Sequence, residues 1–302
     1  MTMDLKQIEY FVRVAELGSF TRASITLDVA QSALSRHVRL LETELRQNLL
    51  IRNGRGVTPT EAGKILIEHG RGVLHQIDRL REELARERGG LVGKVALGLP
   101  PSLSKVLAVP LMRAFRSVLP DAVISIGEGL SLSMQEELVN GRLDVALLYD
   151  AAPSPDIELK PVISQALYLV QSRHQAPTVG PISLRELADM PLIIPSRPNV
   201  IRMHVETELA NHGLRPLIAM EVDAISAILD LIAEGAGNGV LPTSSVHAFG
   251  RAESYNLRPI IDPRLLTRLS SAVSAHRPAT QVQRNLLKLV EEKVRELINP
   301  SE

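Results

Sequence analysis

Gln31-Ser32-Ala33-Leu34-Ser35-Arg36-His37-Val38-Arg39-Leu40-Leu41-Glu42-Thr43-Glu44-Leu45 carries two periodic signals at once. Leu34, Val38, Leu41 and Leu45 recur at helical spacing and predict a buried stripe. On the opposite side Ser32, Ser35, Arg36 and Arg39 follow i, i+3, i+4 and i+7, so hydroxyls and guanidinium groups share one polar face. Upstream, Leu5, Ile8, Phe11, Val12 and Ala15 predict a first helix that Gly18 stops, and Ser19 is placed to cap a second from Phe20 to about Leu27. Only Asp28-Val29-Ala30 separates that second helix from the striped one. Two helices joined by so short a turn fit a helix-turn-helix whose second helix enters the major groove. Gln31, Ser32, Ser35, Arg36 and Arg39 are then the candidate DNA contacts, since Ser and Gln can bond base edges or phosphates and Arg offers guanine a bidentate fork. Taken alone, the same stripe would equally suit a solvated helix face, and the flanking segments have to decide.

Leu49 to Arg52, a turn at Asn53-Gly54-Arg55-Gly56, and Val57 to Pro59 read as two short strands joined by a glycine-flanked tip, that is, a wing. Arg52 and Arg55 beside glycines allow close approach to a phosphate backbone or a minor groove. Thr58, Pro59 and Glu61 fit N-cap, N1 and N3 of a following helix. No proline interrupts that helix between Thr60 and about Arg88, and Leu66, Val73 and Leu80 repeat every seven residues with Gly70, Ile77 and Leu84 beside them. The repeat predicts a dimer seam; the alternative is a helix packed on its own domain. Gly89-Gly90 ends the helix and marks a linker.

Beyond Leu91 strands and helices alternate, with strands expected at Lys94–Gly98, Ala122–Ile126, Leu143–Tyr149, Tyr168–Val170, Pro191–Pro195, Leu217–Val222, Gly239–Leu241 and Ser271–Ser274. The final helix, Gln281 to Leu297, is expected to return with the last strand to the first of two similar lobes. The fold class is therefore α+β and multidomain: a winged helix-turn-helix over 1–60, a linker and dimerisation helix over 61–90, and an effector domain over 91–302. Its two α/β lobes, arranged like those of periplasmic binding proteins, cover about 91–161 with 266–302, and about 162–265. A cleft between such lobes is where a small molecule binds. Candidate contacts are Pro101, Ser102 and Leu103, Gly129 and Ser131, and Ser196 and Asn199, each group at a strand-to-helix turn whose free amides suit an anion. Plain capping explains a serine at such a turn equally well. Arg202 is placed either to pair with the anion or to face solvent. Asp223, at a strand end, is expected to close the site, although its carboxylate would repel an anion unless it points away or caps a helix.

The 302 residues suffice for two or three compact units. The absence of cysteine removes disulfides, thiolate metal sites and cysteine nucleophiles, and the eight histidines are scattered without an H-x-x-x-H pair. Lys+Arg 34 against Asp+Glu 34 gives a formal net charge of +0, so DNA binding has to come from a local patch. No tryptophan and 3% aromatic residues argue against a single-strand binder that stacks bases. No apolar run approaches the ~18 residues a bilayer needs, and MTMDLKQIEY lacks the charged-then-apolar pattern of a signal peptide, so a cytoplasmic location without a membrane partner is expected.

Ala30 to Val38, Leu40-Leu41-Glu42, and Leu50 to Gly63 together resemble the signature of the LysR-type transcriptional regulators. Gly141-Arg142-Leu143-Asp144-Val145-Ala146-Leu147 and Gly235-Ala236-Gly237-Asn238-Gly239-Val240-Leu241-Pro242 fit that family's effector half, so the resemblance spans the chain. Leu49 to Leu66 with Gly93 to Pro100 is similar to its nitrogen assimilation control branch. The resemblance implies that Gln31, Ser32, Ser35, Arg36 and Arg39 face DNA and that Arg55 reaches the minor groove. It further implies double-stranded promoter DNA as partner, a homotetramer built as a dimer of dimers, and a small-molecule effector between the lobes, with RNA polymerase as a further partner and no cofactor. Asn238 departs from the apolar residue usual there. An enzyme is the competing class, but Gly235, Gly237 and Gly239 follow a helix and precede a strand, the reverse of a dinucleotide fingerprint, and no catalytic constellation stands out. A periplasmic solute-binding protein would share the two lobes and leave the first ninety residues unexplained.

Overall fold

The computed structural model describes residues 3–53, 56–86, 93–174, 180–249 and 252–298. The chain divides into two compact units, residues 1–90 with 140–142, and residues 91–139 with 143–302. In the first, α1 (Leu5–Leu17), α2 (Phe20–Leu27) and α3 (Gln31–Leu45) precede the hairpin β1 (Leu50–Asn53) and β2 (Gly56–Pro59), then α4 (Glu61–Arg86). Asp4 caps α1 in a reciprocal box with Gln7, and Ser19 accepts the Arg22 N–H to start α2 as its position predicted. Ile8, Phe11, Val12, Phe20, Ala23, Leu34, Val38, Leu41 and Leu49 form one core. Leu45 stays exposed because the end of α3 runs past that core. Glu42, on α3, holds the hairpin in place: its Oε1 accepts from the backbone N–H of Leu49 at 2.9 Å and of Leu50 at 3.2 Å.

The hairpin corrects the expected start of α4. Pro59 pairs with Leu50 in the ladder and the Thr60 N–H donates to the Leu49 carbonyl, so the strand persists through Pro59 and Thr58 is not a cap. Thr60 takes that role two residues later, its Oγ1 accepting from the Gly63 N–H at 3.0 Å and donating to the Asn48 carbonyl at 2.7 Å. The heptad is also divided. Leu66, Ile67 and Leu74 pack on the unit's own core, and Gly70 permits the close approach: a Cβ there would lie 2.9 Å from the Ile8 Cγ2. Val73 and Leu80, 42% and 52% exposed, remain outside with Ile65. Leu66 therefore belongs to the internal face, while the Leu84 side chain and Gly89-Gly90 lie outside the described residues.

The second unit runs β3 (Gly93–Leu99), α5 (Pro101–Val118), β4 (Ala122–Glu128), α6 (Ser131–Val139), β5 (Val145–Tyr149), β6 (Ile157–Ser172), β7 (Ile182–Ser183), α7 (Leu184–Ala188), β8 (Pro191–Ile194) and α8 (Val200–Asn211). It continues with β9 (Leu217–Glu221), α9 (Ile225–Ala233), β10 (Gly239–Pro242), α10 (Thr243–Phe249), β11 (Tyr255–Ile261), β12 (Leu266–Ser274) and α11 (Gln281–Ile298). The main sheet has the order β4-β3-β5-β12-β6-β11-β7 with β10 also on β6, and β8 pairs with β9. Helices cover both faces of each half. α5 and α11 bury Leu97, Leu103, Leu107, Phe115, Leu286 and Val290 on one face of the first half, and α6 closes the other with Met134 and Leu138. In the second half α7 and α8 pack on one side, while α9 packs on the other with Val246 of α10.

One strand serves both halves. The expected short strand at Tyr168–Val170 is the end of β6, whose residues 157–166 pair with β12 while its later residues pair with β10 and β11. Pro161 lacks the N–H a strand interior normally uses. In the fold it sits opposite Ser270, where the register shifts between Leu269 and Ser270, a bulge that tolerates a residue lacking an N–H. Asn238 finds polar partners: its Nδ2 donates to the Pro191 carbonyl at 3.2 Å and its Oδ1 accepts from the Gln171 Nε2 at 2.9 Å, tying β8 to β6. Replacing Glu42 by Ala is expected to leave two partly buried amides unpaired and to destabilise the first unit by ~1–3 kcal/mol. Hydrogen exchange of the α1–α3 amides measures this, and Glu42→Gln, which keeps an acceptor, should recover most of the loss.

Candidate nucleic-acid interface and effector cleft

α3 starts without a side-chain cap, Leu34 and Ala33 donating to the Ala30 carbonyl, so Gln31 and Ser32 stand exposed at its first turn. With Leu34, Val38 and Leu41 fully buried, Arg36 and Arg39 project to solvent and Ser35 is half-buried. Ser32, Ser35, Arg36, Arg39 and Thr43 line a shallow groove of about 380 Å³ along the helix. Among the described residues no carboxylate lies within ion-pair distance of the Arg36 or Arg39 guanidinium, so both keep their donors for another partner. Arg52 behaves differently: its guanidinium lies 4.6 Å from the centroid of the Phe20 ring and donates to the Ser35 Oγ at 3.2 Å. It braces the base of the wing against α2 and α3, a positioning duty the sequence did not reveal. The wing is also fixed at Gly56, whose φ of 140° lies in the range that favours glycine and where a Cβ would lie 2.6 Å from the Gly18 carbonyl oxygen. Val57 donates to that same carbonyl at 3.0 Å. Arg55 lies outside the described residues.

In the second unit the nominated residues form two groups. Ser102 and Ser131 both lie at Tyr149, at the end of β5: the Ser102 side chain sits by the phenol and favours its ionised form against burial, and the Ser131 Oγ accepts from the Tyr149 N–H at 3.0 Å. Pro101 is exposed and has no N–H, Leu103 points into the core, and the Gly129 N–H is committed to the Leu99 carbonyl, so none of these three offers a ligand a free side-chain or amide donor. Three residues that sequence did not nominate complete this group. The Tyr149 phenol lies 3.2 Å from the Gln165 Oε1, and the Gln165 Nε2 donates to the Ser244 Oγ at 3.0 Å. Burial pushes the Tyr149 phenol well above its ordinary value, so it stays a neutral donor. The chain thus runs from α5 through β5 and the shared strand β6 to α10, from one lobe to the other. Tyr149 was visible at the end of a buried strand, whereas Gln165 and Ser244 lay in segments whose pattern showed neither β6 nor α10.

Ser196, Asn199, Arg202 and Asp223 form the other group. Asn199 caps α8, its Oδ1 accepting from Ile201 and Arg202. Asp223 accepts from both the hydroxyl and the N–H of Ser196, so it caps that turn. Arg202 corrects the solvent-facing expectation. It is 6% exposed and held by Glu206 at 2.9 Å, Glu221 at 2.9 Å and the Pro195 carbonyl at 3.0 Å, which leaves its guanidinium committed to the protein and not to an anion. Val200, at the start of α8, packs against the cores of both lobes, which sets this group beside the first lobe. Hydrogen bonds from the Ser196 hydroxyl and then the Ser196 N–H hold the Asp223 carboxyl below its ordinary value. A depressed pKa favours the turn above the ordinary carboxylate range and releases it as pH falls. In a carbon-detected NMR titration Asp223 should therefore ionise below a model Asp, and Ser196→Ala should move it upward.

Residues 5–64 match the bacterial regulatory helix-turn-helix protein, lysR family, and residues 88–295 match the LysR substrate binding domain. The nitrogen assimilation regulatory protein nac of Klebsiella aerogenes is 34% identical over 274 residues, spanning 90% of this chain and 89% of that protein. Its namesake in Escherichia coli (strain K12) is 32% identical over 289 residues, 94% of each. Among solved structures, full-length CbnR complexed with its target DNA superposes with a TM-score of 0.71 at 25% identity, covering 96% of this chain and 100% of that one. A full-length OxyR variant from Pseudomonas aeruginosa, at 22% identity, gives 0.72 over 98% and 96%. The relatives are named as regulators, not enzymes, and no described helix is long and apolar enough to cross a membrane. With a helix-turn-helix at one end and a substrate-binding domain at the other, this chain belongs to the LysR family of DNA-binding transcriptional regulators.

Proposed function

We propose that the chain binds double-stranded promoter DNA in the cytoplasm as a homo-oligomer, a dimer of dimers, and adjusts transcription by RNA polymerase in response to a small metabolite between its lobes. The observation that carries the DNA half is the α3 groove, where Arg36 and Arg39 stand exposed without an acidic partner beside Ser32 and Ser35. Gln31 adds an amide at the helix start, where base edges are read. Arg52 serves mainly as a brace, and Arg55 is assigned to the minor groove on family resemblance alone. Relatives named for nitrogen assimilation favour a role near nitrogen metabolism for this regulator too.

Pairing of copies is supported by the outer face of α4, where Ile65, Val73 and Leu80 are exposed and need a partner surface to leave water. The second unit supplies further apolar edges, with Val109, Val118 and Val123 around α5 and β4 and Leu217 and Met220 on β9. Arg36→Ala is expected to cost ~1–3 kcal/mol of base discrimination in a gel shift with the protein's own promoter, and Val73→Asp to reduce the assembly seen by sedimentation. Undiminished operator affinity in the first variant would discard the docking, and an unchanged oligomer in the second would move the pairing elsewhere.

The effector half rests on the Ser102–Tyr149–Gln165–Ser244 chain. A small anion entering there can use the Ser102 and Ser244 hydroxyls only by displacing part of a bonded network, so its binding is coupled to how the lobes are held together. Ser196 and Asn199, in the turn that leads into α8, would meet such an anion from the second lobe, while Asp223 stays committed to Ser196. A thermal-shift screen of metabolites is expected to yield a compound that stabilises the wild type and loses that effect in Ser102→Ala. If every hit stabilises both equally, the cleft is not the sensor.

A further inference from the structure

The connection from β5 to β6 has to cross a strand. β5 ends with Tyr149 opposite Leu269, and β6 begins with Ile157 opposite Ser274. Both are antiparallel to β12 and lie on its two sides, so residues 150–156 pass over the face of β12 that carries Arg268 and Ser270. The arch is pinned at both ends. The Asp150 N–H donates to the Arg268 carbonyl, while its Oδ1 accepts from the Arg268 N–H and its Oδ2 from the Thr267 hydroxyl. At the far end the Asp156 carbonyl accepts from the Ala275 N–H and its carboxylate meets the His276 Nε2 at 2.8 Å.

Beneath the arch lies a cavity of about 520 Å³, in the range of sites that take small metabolites. Apolar side chains line part of its wall, Ala151 and Pro153 from the arch and Ile157 and Leu159 from β6, with Ser154 of the arch as a polar member. Its floor is polar. Ser270 is 6% exposed and its hydroxyl has no hydrogen-bond partner among the described residues. The Arg268 guanidinium has no carboxylate within ion-pair distance among them either. Asp150 lines the same cavity and opposes an anion, but both its oxygens already accept hydrogen bonds from β12, which reduces that repulsion. A hydroxyl open to the cavity and a guanidinium without a carboxylate partner, beside apolar side chains, suit a negative head on an apolar body.

We propose that this cavity is a second small-molecule site, separate from the inter-lobe cleft, and that it takes a small carboxylate with an aliphatic or aryl body, its head on Arg268 and Ser270 and its body between the arch and β6. The site belongs to one lobe and does not depend on the effector reading. Isothermal titration of the full chain with hexanoate, 1-hexanol and hexylamine tests it. Hexanoate should bind with a Kd of about 1 mM, as expected for so few atoms, 1-hexanol at least about tenfold more weakly, and hexylamine not at all. Arg268→Gln, at an exposed side chain, should weaken hexanoate by about tenfold with an unchanged melting temperature, and amide shifts should concentrate at residues 150–157. Ser102→Ala should leave hexanoate binding as it is. Equal affinity in wild type and Arg268→Gln, absence of saturable binding, or loss in Ser102→Ala instead would overturn the site.

Discussion

The second unit depends on one constraint: β6 is a single strand in two half-sheets. Its first residues complete the ladder with β12 and its last ones the ladders with β10 and β11, so neither lobe has an edge there and neither can move without bending this backbone. The register shift opposite Pro161 lies before the change of partners, where a local irregularity costs the ladder least. Gln165 sits at the crossing itself. Its buried amide therefore has partners from both sides, Tyr149 of one lobe and Ser244 of the other. A polar group so deeply buried has to be satisfied, and here satisfying it joins the lobes.

The exposed polar face of α3 follows from a different constraint. α3 holds the core with Leu34, Val38 and Leu41, and it positions the wing through Glu42 and, by way of Ser35, through Arg52. What remains free on the helix is Ser32, Arg36 and Arg39. The neighbours that could have neutralised Arg36 and Arg39 do not do so, whereas the buried Arg202 is surrounded by carboxylates. Burial explains the contrast: a guanidinium taken out of water has to be paired, and one left in water can keep its donors for a ligand.

The ends of α2 and α3, the wing and the exposed polar row of α3 were legible in the sequence because each depends on spacing within a few residues. The two lobes were legible too, but not what joins them. Leu66 could not be told from Val73 and Leu80 by the heptad, since the approach of α4 to α1 at Gly70 decides which side of the repeat is internal. Thr58 fits a cap by local chemistry, but the pairing of Pro59 with Leu50 and the bond from the Thr60 N–H to the Leu49 carbonyl outrank that preference. Gln165, Ser244 and the cavity under residues 150–156 arise from contacts between distant segments, and no local pattern marks them. Asp223 and Arg202 were found as residues, but their partners, Ser196 and the glutamates, set their roles.

A formal net charge of +0 limits how this chain can hold DNA. A protein that binds mainly by phosphate neutralisation accumulates basic residues until counterion release dominates its affinity, and this one carries as many acidic as basic groups. If Arg36 and Arg39 of α3 are its main contacts, as proposed, each head would make few phosphate contacts and bind weakly by itself. Specific base contacts must then supply discrimination, and in the proposed oligomer joined heads must supply strength through the effective concentration of the second head once the first is docked. That dependence on geometry would make an inter-lobe switch effective: a protein whose affinity came from bulk charge would be indifferent to how its heads are spaced, whereas one that needs two weak heads in register loses most of its affinity when the spacing is wrong.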